Sequence, residues 1–381
     1  MKKKFMKKII LLSFVIFCLA CSRTPKVEKE YFGRLSDGSE VTLFRLSNAS
    51  GAHLEVIDYG CRIVDISVPD RKGVIDDVVP GYEDIESFET GKERFFGSII
   101  GRYANRIDNA SFTLDSTIYY LSANEDFEGN PVHCHGGFKG FDRVMWNAES
   151  ITEEERVGVI FKRLSPDGEE GFPGNLDCTV TYWWSKDNVF RIEYKATTDK
   201  STIVNLSNHT FFNLKGQTGG YVMDHIMQVD ADNYLPNTNH FVPKGKSMTV
   251  ENTPFDMRKP HRVDYAIDTP NEHFRTMFGF SVCWVLNKPS GIFGKAADLY
   301  EPRSGRGVET WTTEPGLLTY TGRGFNEDII GKGGKPIEKF GGMLLETLHF
   351  PDSPNRSDFP STVLKPGEIY TSATEYRFYF K

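Results

Sequence analysis

The sequence predicts an all-β fold, in the form of one large antiparallel β-sandwich. Aromatic side chains favour strands over helices, and this chain of 381 residues contains 29 Phe and 16 Tyr. Its 35 Gly and 19 Pro supply the turns that many strands require. No apolar repeat of helical period continues for long. An apolar content of 39% is ample for a buried core, and one such domain can exceed roughly 200 residues.

The N-terminal segment is predicted to lie outside this fold. A basic stretch with five lysines precedes an apolar run from Ile9 to Ala20, which is too short to span a bilayer comfortably and is typical of a secretion signal. The sequence from Phe17 to Cys21 resembles a bacterial lipoprotein cleavage box, which predicts lipidation of Cys21. Simple cleavage near Ala20, without a lipid, is the alternative.

These features divide the chain into three parts. Residues 1–20 are the predicted signal peptide, residues 21–30 the lipidated cysteine and a polar tether, and residues 31–381 the folded domain. A lipid anchor would hold the protein at a membrane surface, so we expect a lipoprotein of the bacterial cell envelope that faces the periplasm or the cell surface. The formal net charge of −7 argues against a nucleic-acid partner.

Four further cysteines lie far apart in the chain, without C-x-x-C spacing, so the sequence predicts no zinc site. An oxidising periplasm could pair some of them, and the sequence does not say which. They are Cys61, Cys134, Cys178 and Cys283.

Individual strands are predicted where apolar and polar residues alternate, or where a short apolar run is bounded by turn residues. Gly60 marks a turn within the first such region. In order, the predicted strand regions are Val41 to Pro69, Ile99–Ile100, Thr179 to Trp184, Val189 to Ala196, Gly279 to Leu286 and Leu317 to Gly322.

The first candidate site follows Ile99–Ile100 and runs from Gly101 to Ile107, with Asn105 beside Arg106. An arginine next to an asparagine at the end of a buried strand offers several hydrogen-bond donors, which suits the hydroxyls of a sugar. A structural arginine that clamps a loop carboxylate is the alternative, and the residues alone do not separate the two.

A second candidate site is the segment from His133 to Gly137. Two glycines after a histidine let the backbone turn tightly and approach a ligand, so His135 is predicted to face the site and His133 to be structural. The H-x-H spacing is compatible with a metal, but no third ligand of matching type stands nearby in the sequence. No metal is therefore predicted.

The third candidate, His209, lies in the stretch from Asn205 to Leu214, where the alternating pattern predicts a strand with one face buried. A histidine at the end of such a strand can titrate near neutral pH, from a reference pKa of about 6.5, and can serve as a general acid. A core histidine satisfied by a backbone carbonyl is the alternative.

The fourth candidate, Glu346, lies in an apolar run that Pro351 ends. A carboxylate among apolar residues is costly unless it has a hydrogen-bond or ion-pair partner, so its presence indicates such a partner or a functional role. An outward-facing glutamate on an alternating strand is the alternative. Leu344 and Leu348 would share its face, however, and an apolar face argues against exposure.

Together these stretches resemble the aldose 1-epimerases, or galactose mutarotases, over nearly all of the chain from about Tyr31 to Lys381. The resemblance implies a large β-sandwich, a small-molecule aldose as substrate, and no metal or organic cofactor. We also expect a monomer. Gly101–Ile107 matches the family motif G-R-x-A-N-R-I, and His135–Gly137 matches H-G-G. Asn205–Leu214 matches N-x-T-N-H-x-Y-F-N-L, with Ser207 for Thr and Phe211 for Tyr. Leu345–Asp352 matches L-E-T-Q-x-x-P-D, with Leu348 for Gln.

The resemblance also implies a role for each candidate residue. His209 matches the family's general acid and Glu346 its general base, whereas Asn105, Arg106 and His135 match substrate-contacting positions. The implied reaction opens the hemiacetal: a base takes the proton of the C1 hydroxyl while an acid protonates the ring oxygen. We therefore expect an ionised Glu346 and a protonated His209 in a partly dry cleft.

The chain departs from the family at two positions that contact sugar hydroxyls. Ser281 stands where the family has aspartate, and Leu318 stands where it has glutamine. Because two hydroxyl contacts are lost while the acid–base pair is retained, we expect a non-standard preference, such as a deoxy sugar or a pentose rather than galactose.

Two other functions compete with this one. A non-catalytic sugar-binding lipoprotein on the same scaffold would explain the loss of the usual residues at Ser281 and Leu318, although it leaves the retained His209 and Glu346 unexplained. An epimerase of sugar phosphates would need a basic cluster at the mouth of the cleft, and the sequence does not place one.

Overall fold

We describe the protein from a computed structural model, which covers residues 24–265 and 279–381. The predicted signal peptide over residues 1–20 and the predicted lipidation site Cys21 lie outside these described residues, so both stay predictions. In chain order, the strands before residue 200 are β1 (Lys26–Arg34), β2 (Glu40–Ser47), β3 (His53–Ile57), β4 (Arg62–Pro69), β5 (Ile75–Asp77), β6 (Ile99–Ile100), β7 (Arg106–Asp108), β8 (Ser111–Leu114), β9 (Thr117–Tyr120), β10 (Glu125–Phe127), β11 (Asn130–Cys134), β12 (Asn147–Thr152), β13 (Arg156–Ser165), β14 (Leu176–Ser185) and β15 (Val189–Thr198).

The second half of the chain is also made of strands. They are β16 (Thr202–Ile203), β17 (Ser207–Asn208), β18 (Phe211–Phe212), β19 (Ile226–Val229), β20 (Asn233–Leu235), β21 (Met248–Thr249), β22 (His261–Arg262), β23 (Ser281–Val285), β24 (Gly294–Tyr300), β25 (Arg306–Thr312), β26 (Gly316–Tyr320), β27 (Met343–Leu348), β28 (Val363–Leu364) and β29 (Tyr370–Phe380). The described helices are short: one α-helix, α1 (Ile85–Thr90), and the 3-10 helices Phe141–Arg143, Glu169–Gly171, Lys332–Gly334 and Ser353–Asn355.

The strands form antiparallel sheets, which confirms the predicted fold class. The largest has nine strands in the order β12-β13-β14-β15-β29-β25-β24-β19-β22. A six-stranded sheet, β18-β27-β26-β23-β20-β21, and a five-stranded sheet, β1-β2-β3-β4-β5, pack with it around one large apolar core. Smaller sheets complete the molecule, and one isolated parallel bridge joins Tyr103 to Asn205.

The six-stranded sheet determines where the candidate site lies. Its residues alternate between two faces, and one face, which carries Leu317, Met343 and Leu345, belongs to the core that the nine-stranded sheet also fills. The opposite face carries Leu318 and Glu346. Because both faces of β27 are covered, every residue of the strand is buried, which explains why its sequence is a nearly continuous apolar run.

Two expectations about the chain need correction. Residues 21–30 were predicted as a tether, but Lys26–Glu30 form the first part of β1 and pair with β2 from Lys26↔Ser47 onward. Backbone pairing explains this outcome, since a polar strand at a sheet edge forms ladder hydrogen bonds without needing an apolar side-chain pattern. The second expectation was that Asn205 to Leu214 would bury one face of a strand. This stretch is buried throughout, with His209 between two short strands.

The four cysteines Cys61, Cys134, Cys178 and Cys283 are all buried, and no disulfide is formed within the described part of the chain. Among the described residues, no helix is long and apolar enough to cross a membrane.

Candidate active site

All seven residues predicted to act on or contact a sugar line one cavity. Its volume is about 450 Å³, and its floor is the outer face of the sheet formed by β23, β26 and β27. The predicted residues are Asn105, Arg106, His135, His209, Ser281, Leu318 and Glu346; the other lining residues are Lys92, Glu93, Arg94, Phe95, Glu125, Phe127, Cys134, Phe241, Tyr320, Arg323 and Leu344.

Glu346 is a buried carboxyl group. Its side chain is fully shielded from solvent, and within residues 24–265 and 279–381 no group meets hydrogen-bond geometry with either carboxylate oxygen. Burial raises its pKa to about 8, although the positive charge of Arg106 acts in the opposite direction. The nearby Ser207 hydroxyl, which donates to the Thr347 carbonyl at 2.7 Å, also acts to lower the pKa of Glu346. The alternative of an outward-facing glutamate is therefore wrong.

His209 is held at the cavity by its backbone. It follows β17, its N–H donates to the carbonyl of Ser98 at 2.9 Å, and its carbonyl accepts from Gly97 at 3.1 Å. The residue is 7% exposed, and its Nδ1 has no hydrogen-bond partner. Burial lowers its pKa to about 3, assisted by the positive charge of Arg106. Its place in the cavity lining favours a functional role over the alternative of a core histidine.

These two shifts correct the expected protonation of the pair. We expected an ionised Glu346 and a protonated His209, but burial disfavours charge on both groups. At neutral pH, burial therefore favours the protonated carboxyl group and the neutral imidazole. The pair still holds one proton in total, so either protonation pattern leaves one group able to donate and the other able to accept.

His135 is fixed by a tight turn. Gly136 follows it with φ of +84°, and an added Cβ there would lie 1.8 Å from the carbonyl oxygen of Gly101, so no other residue fits. His135 itself has φ of +50° and Asn105 has φ of +63°, conformations that cost roughly 1–3 kcal/mol each and cluster at functional sites. The two residues hold each other, since each backbone N–H donates to the other residue.

The bond from Asn105 also sets the tautomer of His135. Its Nδ1 accepts the Asn105 N–H at 3.2 Å, so in the neutral ring the proton lies on Nε2. The His135 and His209 ring centroids are 5.1 Å apart, and Nδ1 of His135 is 4.0 Å from Oε1 of Glu346. Three groups that can donate or accept protons therefore meet in one buried cluster.

The cluster of His135, His209 and Glu346 offers the third metal ligand that the sequence around His133 and His135 lacked. The sequence offered no third ligand near His133 and His135, yet the fold brings ligand atoms of His135, His209 and Glu346 within 4.8 Å of one another. A metal bound at Nδ1 of His135 would have to displace the Asn105 N–H, whereas proton transfer uses the three groups as they stand. His133 takes no part in the cluster. It is buried, and its Nδ1 bonds to the carbonyl of Ser122 at 2.8 Å.

Comparison with known proteins decides the family. A family model described as aldose 1-epimerase matches residues 42–377. The chain belongs to the aldose 1-epimerase family. It is 37% identical to the galactose mutarotase of Rattus norvegicus, over 92% of this chain and 98% of that protein, and 33% identical to the aldose 1-epimerase of Escherichia coli (strain K12), over 90% and 96%. The crystal structure of galactose 1-epimerase from Lactobacillus acidophilus NCFM matches with a TM-score of 0.81 and 25% identity, over 94% and 99%.

The chain is accordingly an isomerase that acts on aldoses. In this epimerase Arg106 forms the carboxylate clamp of the structural interpretation, and its contact with a sugar stays a prediction. Its guanidinium donates to both carboxylate oxygens of Glu125, at 2.6 and 3.0 Å, and it also lines the cavity. The first arginine of the motif, Arg102, is purely structural, because it is buried and donates to the carbonyls of Pro173 and Gly174.

The loop before β6 contributes residues that sequence analysis missed. The Phe95 ring packs against both histidines, with its centroid 4.8 Å from that of His135 and 5.5 Å from that of His209. Arg94 donates to both carboxylate oxygens of Asp142 and, at 2.8 Å, to the carbonyl of Gly137. The run of charged and aromatic residues directly before a buried strand was the signal that could have found them.

The two positions that depart from the family lie where the resemblance expects them. Leu318 is opposite Glu346 in the pairing of β26 with β27, and Ser281 is opposite Tyr320 in the pairing of β23 with β26. Directly opposite residues share a face of the sheet, so all four side chains belong to the floor of the cavity. Ser281 is further tied through its carbonyl, which accepts from Asn237 at 3.1 Å.

Proposed function

We propose that this epimerase interconverts the α- and β-anomers of a free aldose through Glu346 and His209. The observation that carries the proposal is a buried carboxyl group and a buried imidazole that share one cavity, with neither carboxylate oxygen hydrogen-bonded by another described group. Glu346 is assigned as the general base and His209 as the general acid. His135, Asn105 and Arg106 are assigned to the binding of sugar hydroxyls.

The proposed reaction moves one proton in each direction. The Glu346 carboxylate takes the proton of the C1 hydroxyl while the His209 imidazolium protonates the ring oxygen, so the C1–ring oxygen bond breaks and an aldehyde forms. Rotation about the C1–C2 bond turns the other face of the aldehyde toward the ring oxygen. Closure then reverses both transfers. Each well-placed acid or base contributes roughly 10²–10⁴-fold to such a reaction.

Burial of Glu346 and His209 favours the ring-opened state of this reaction. Ring opening converts a charged carboxylate–imidazolium pair into a neutral pair, and a dry cavity stabilises the neutral pair. A bound sugar stabilises the starting ion pair in turn, because its hydroxyls can donate to the carboxylate oxygens of Glu346, which no group in the described part of the chain bonds. The Nε2–H of His135 supplies a further donor for a sugar oxygen.

The sugar preference is proposed to be non-standard. Leu318 cannot hydrogen-bond, and serine at position 281 reaches less far than aspartate. A hydroxyl that faces Leu318 loses its water partners without replacement, which costs roughly 1–3 kcal/mol. We therefore infer a substrate that is apolar or truncated at that position, with galactose poorer than some deoxy sugar or pentose.

The location is proposed to be the bacterial cell envelope, on a lipid carried by Cys21. The support is the sequence pattern alone: a lysine-rich segment, a short apolar run and a cysteine in a lipoprotein-like cleavage box. The protein is proposed to act as a monomer. Globomycin-sensitive processing and metabolic labelling with a palmitate analogue test the anchor, and a Cys21→Ser variant that still takes up the label would contradict it.

Polarimetry on pure anomers tests the activity. We expect the purified protein to accelerate the approach to anomeric equilibrium for at least one of α-galactose, α-glucose, fucose, xylose and arabinose. A sugar-binding protein without catalysis would bind one of these sugars and leave every rate at that of the buffer. Such a protein gains nothing from a buried carboxylate that no other described group bonds, which costs stability, and this favours the enzyme.

A further inference from the structure

A second cavity, with a volume of about 580 Å³, adjoins the active-site cavity. The two cavities share the lining residue Phe127, and neighbouring residues are divided between them: Glu125 and Phe241 line the active-site cavity, whereas Asp126 and His240 line the second one. The volume lies within the range of roughly 300–1,000 Å³ that is usual for small-molecule sites. A sugar bound in the active-site cavity can therefore continue past the Phe127 ring into the second cavity.

Two segments contribute side chains to both cavities. One is the strand β10, and the other is the loop over residues 236–244, which a bridge between Asn237 and Pro243 closes. In this loop Phe241 has φ of +61°, a backbone conformation that residues other than glycine rarely adopt and that clusters at ligand clamps. The Phe241 and Phe127 rings pack against each other with centroids 5.6 Å apart. The aromatic pair thus has a fixed position where the two cavities meet.

The side chains of the second cavity suit the hydroxyls of a sugar. Three of them are carboxamides, from Asn130, Asn237 and Asn239. A carboxamide both donates and accepts hydrogen bonds, as a sugar hydroxyl does. Phe127 adds an aromatic face, whose partial negative charge suits the C–H bonds on one face of a sugar ring. Amides beside one aromatic ring therefore indicate a site for a polyhydroxylated ligand.

The charges of the second cavity favour a neutral ligand. Its acidic lining residues are Asp126 and Glu128, and its basic one is Lys244. A phosphate or a sugar acid would meet two carboxylates and one ammonium group, so electrostatics gives such a ligand no advantage. An unmodified sugar unit carries no charge and meets no such opposition.

Asn237 connects the second cavity to a position where the chain departs from the family. Its side-chain amide donates to the carbonyl of Ser281 at 3.1 Å, and Ser281 lines the active-site cavity. The family's aspartate only accepts hydrogen bonds, so it requires a sugar hydroxyl that still has its proton. An oxygen in a glycosidic bond has no proton, but it can accept one hydrogen bond from a serine hydroxyl. Ser281 thus suits an aldose that carries a further sugar at this oxygen.

We propose that the substrate is the reducing-end aldose of an oligosaccharide, and that the second cavity binds the next sugar unit. Asn130 and Asn239 bind hydroxyls of this unit, and Phe127 packs against its ring. The proposal rests on the proposed anomer interconversion, because the reducing-end unit has the hemiacetal that Glu346 and His209 open. The glycosidic bond is neither formed nor broken, so the second unit contributes binding alone.

Calorimetry with methyl glycosides tests the second cavity apart from catalysis, since these compounds have no free anomeric hydroxyl. Methyl β-cellobioside is compared with methyl β-glucoside, and methyl β-xylobioside with methyl β-xyloside. We expect at least one of the disaccharide glycosides to bind about tenfold more tightly than its monosaccharide counterpart, the gain from roughly two further hydrogen bonds.

Anomer exchange measures the same preference in turnover. The ratio of kcat/KM for a disaccharide to that for its parent aldose should be about ten for at least one of cellobiose, laminaribiose and gentiobiose against glucose, or xylobiose against xylose. The O-methyl ether of the parent aldose at the linkage oxygen should gain less than the disaccharide, because it has the ether without the second unit.

A matched pair of variants assigns the preference to the second cavity. Asn239→Ala should lower the ratio several-fold, because an amide that binds the second unit is lost. Asn147→Ala, at an exposed position of β12 outside both cavities, should leave the ratio unchanged.

The outcomes separate this proposal from the proposed function. No acceleration of any of the five aldoses or of these disaccharides would overturn the anomer interconversion itself. Acceleration of an aldose, with no disaccharide ratio above one and no tighter binding of a disaccharide glycoside, would overturn the oligosaccharide alone. Equal ratios in the Asn239→Ala and Asn147→Ala variants, or an O-methyl ether that matches the disaccharide, would overturn the second cavity as the binding site. Calorimetry needs no variant, so the proposal stays testable if Asn239→Ala fails to fold.

Discussion

Leu318 lies directly opposite Glu346 in the antiparallel pairing of β26 with β27, so an aliphatic side chain flanks the buried carboxyl group. The position of Leu318 therefore affects both the choice of sugar and the protonation of Glu346. A leucine beside a carboxylate offers neither a donor to the carboxylate nor an acceptor to the sugar, and it keeps water away from both. The family residue at this position, glutamine, would offer both.

The first prediction changes the two departing positions together. Ser281→Asp combined with Leu318→Gln restores the family residues, so kcat/KM for galactose should rise relative to fucose, xylose and arabinose. The gain is expected to be on the order of tenfold, since each restored hydrogen bond contributes roughly 1 kcal/mol. Polarimetry across the sugar panel measures it. A clear galactose preference in the native protein, unchanged in the double variant, would show that these positions do not select the sugar.

A second prediction concerns the dependence of activity on pH. With the pKa of Glu346 raised to about 8 and that of His209 lowered to about 3, the pair holds one proton between those values. Turnover needs that proton, so kcat/KM should be level in this range and fall above about pH 8, where the pair loses it. Exchange spectroscopy between anomers, corrected for the buffer-catalysed rate, gives the profile. A kcat/KM that climbs above pH 8 would contradict the assignment.

The third prediction concerns stability. The folded pKa of Glu346, about 8, is above its ordinary value of 4.5, so between these values the folded state keeps a proton that the unfolded chain releases. Its contribution to stability is therefore full below about pH 4.5 and is lost as pH rises toward 8. Glu346→Gln removes this loss, and the free energy of unfolding at pH 8 should exceed the native value by roughly a few kcal/mol.

Urea unfolding followed by circular dichroism at pH 5 and pH 8 measures this effect. The difference between the Glu346→Gln variant and the native protein should be small at pH 5 and largest at pH 8. Glu154→Gln, at an exposed position, serves as the matched control and should show no such growth. Equal differences at both pH values would mean that Glu346 is not strained by burial.

A fourth prediction tests the turn that holds His135. Gly136→Ala places a Cβ 1.8 Å from the Gly101 carbonyl oxygen, so the turn must move and both activity and stability should fall, the latter by several kcal/mol. Gly129→Ala is the matched control, because Gly129 has a similar φ of +88° but no atom within 4 Å of the added Cβ. It should cost roughly 1 kcal/mol and leave kcat/KM near the native value. Equal effects of the two changes would contradict a positioning role for this turn.

The sequence alone predicted the fold class and the two proposed acid–base residues, Glu346 and His209. Glu346 stood out because a carboxylate interrupts an apolar strand, and His209 because a histidine lies between buried segments. Phe95, Phe241 and Arg323 could not be predicted in the same way. They come from loops without periodicity, and only the folded chain brings them to the cavity.

The protonation states of Glu346 and His209 could not be predicted from the sequence either. Residue types fix the reference pKa values, but burial on all sides decides the shifts at Glu346 and His209, and burial is a property of the packed sheets. The boundary of the domain was misplaced for a related reason. Lys26–Glu30 look like a solvated tether by composition, yet backbone pairing with β2 makes them a strand.

The most direct test of the central claim is the rate of anomer exchange in Glu346→Gln and His209→Asn. Glu346→Gln keeps the shape of the side chain and His209→Asn replaces the imidazole with a smaller polar amide, and both remove proton transfer at the position. We expect kcat/KM to fall by roughly 10²-fold or more in each while the circular dichroism spectrum stays native. The Glu154→Gln control should retain native exchange. Near-native exchange in both active-site variants would contradict acid–base catalysis at this cavity and would favour a protein that only binds sugar.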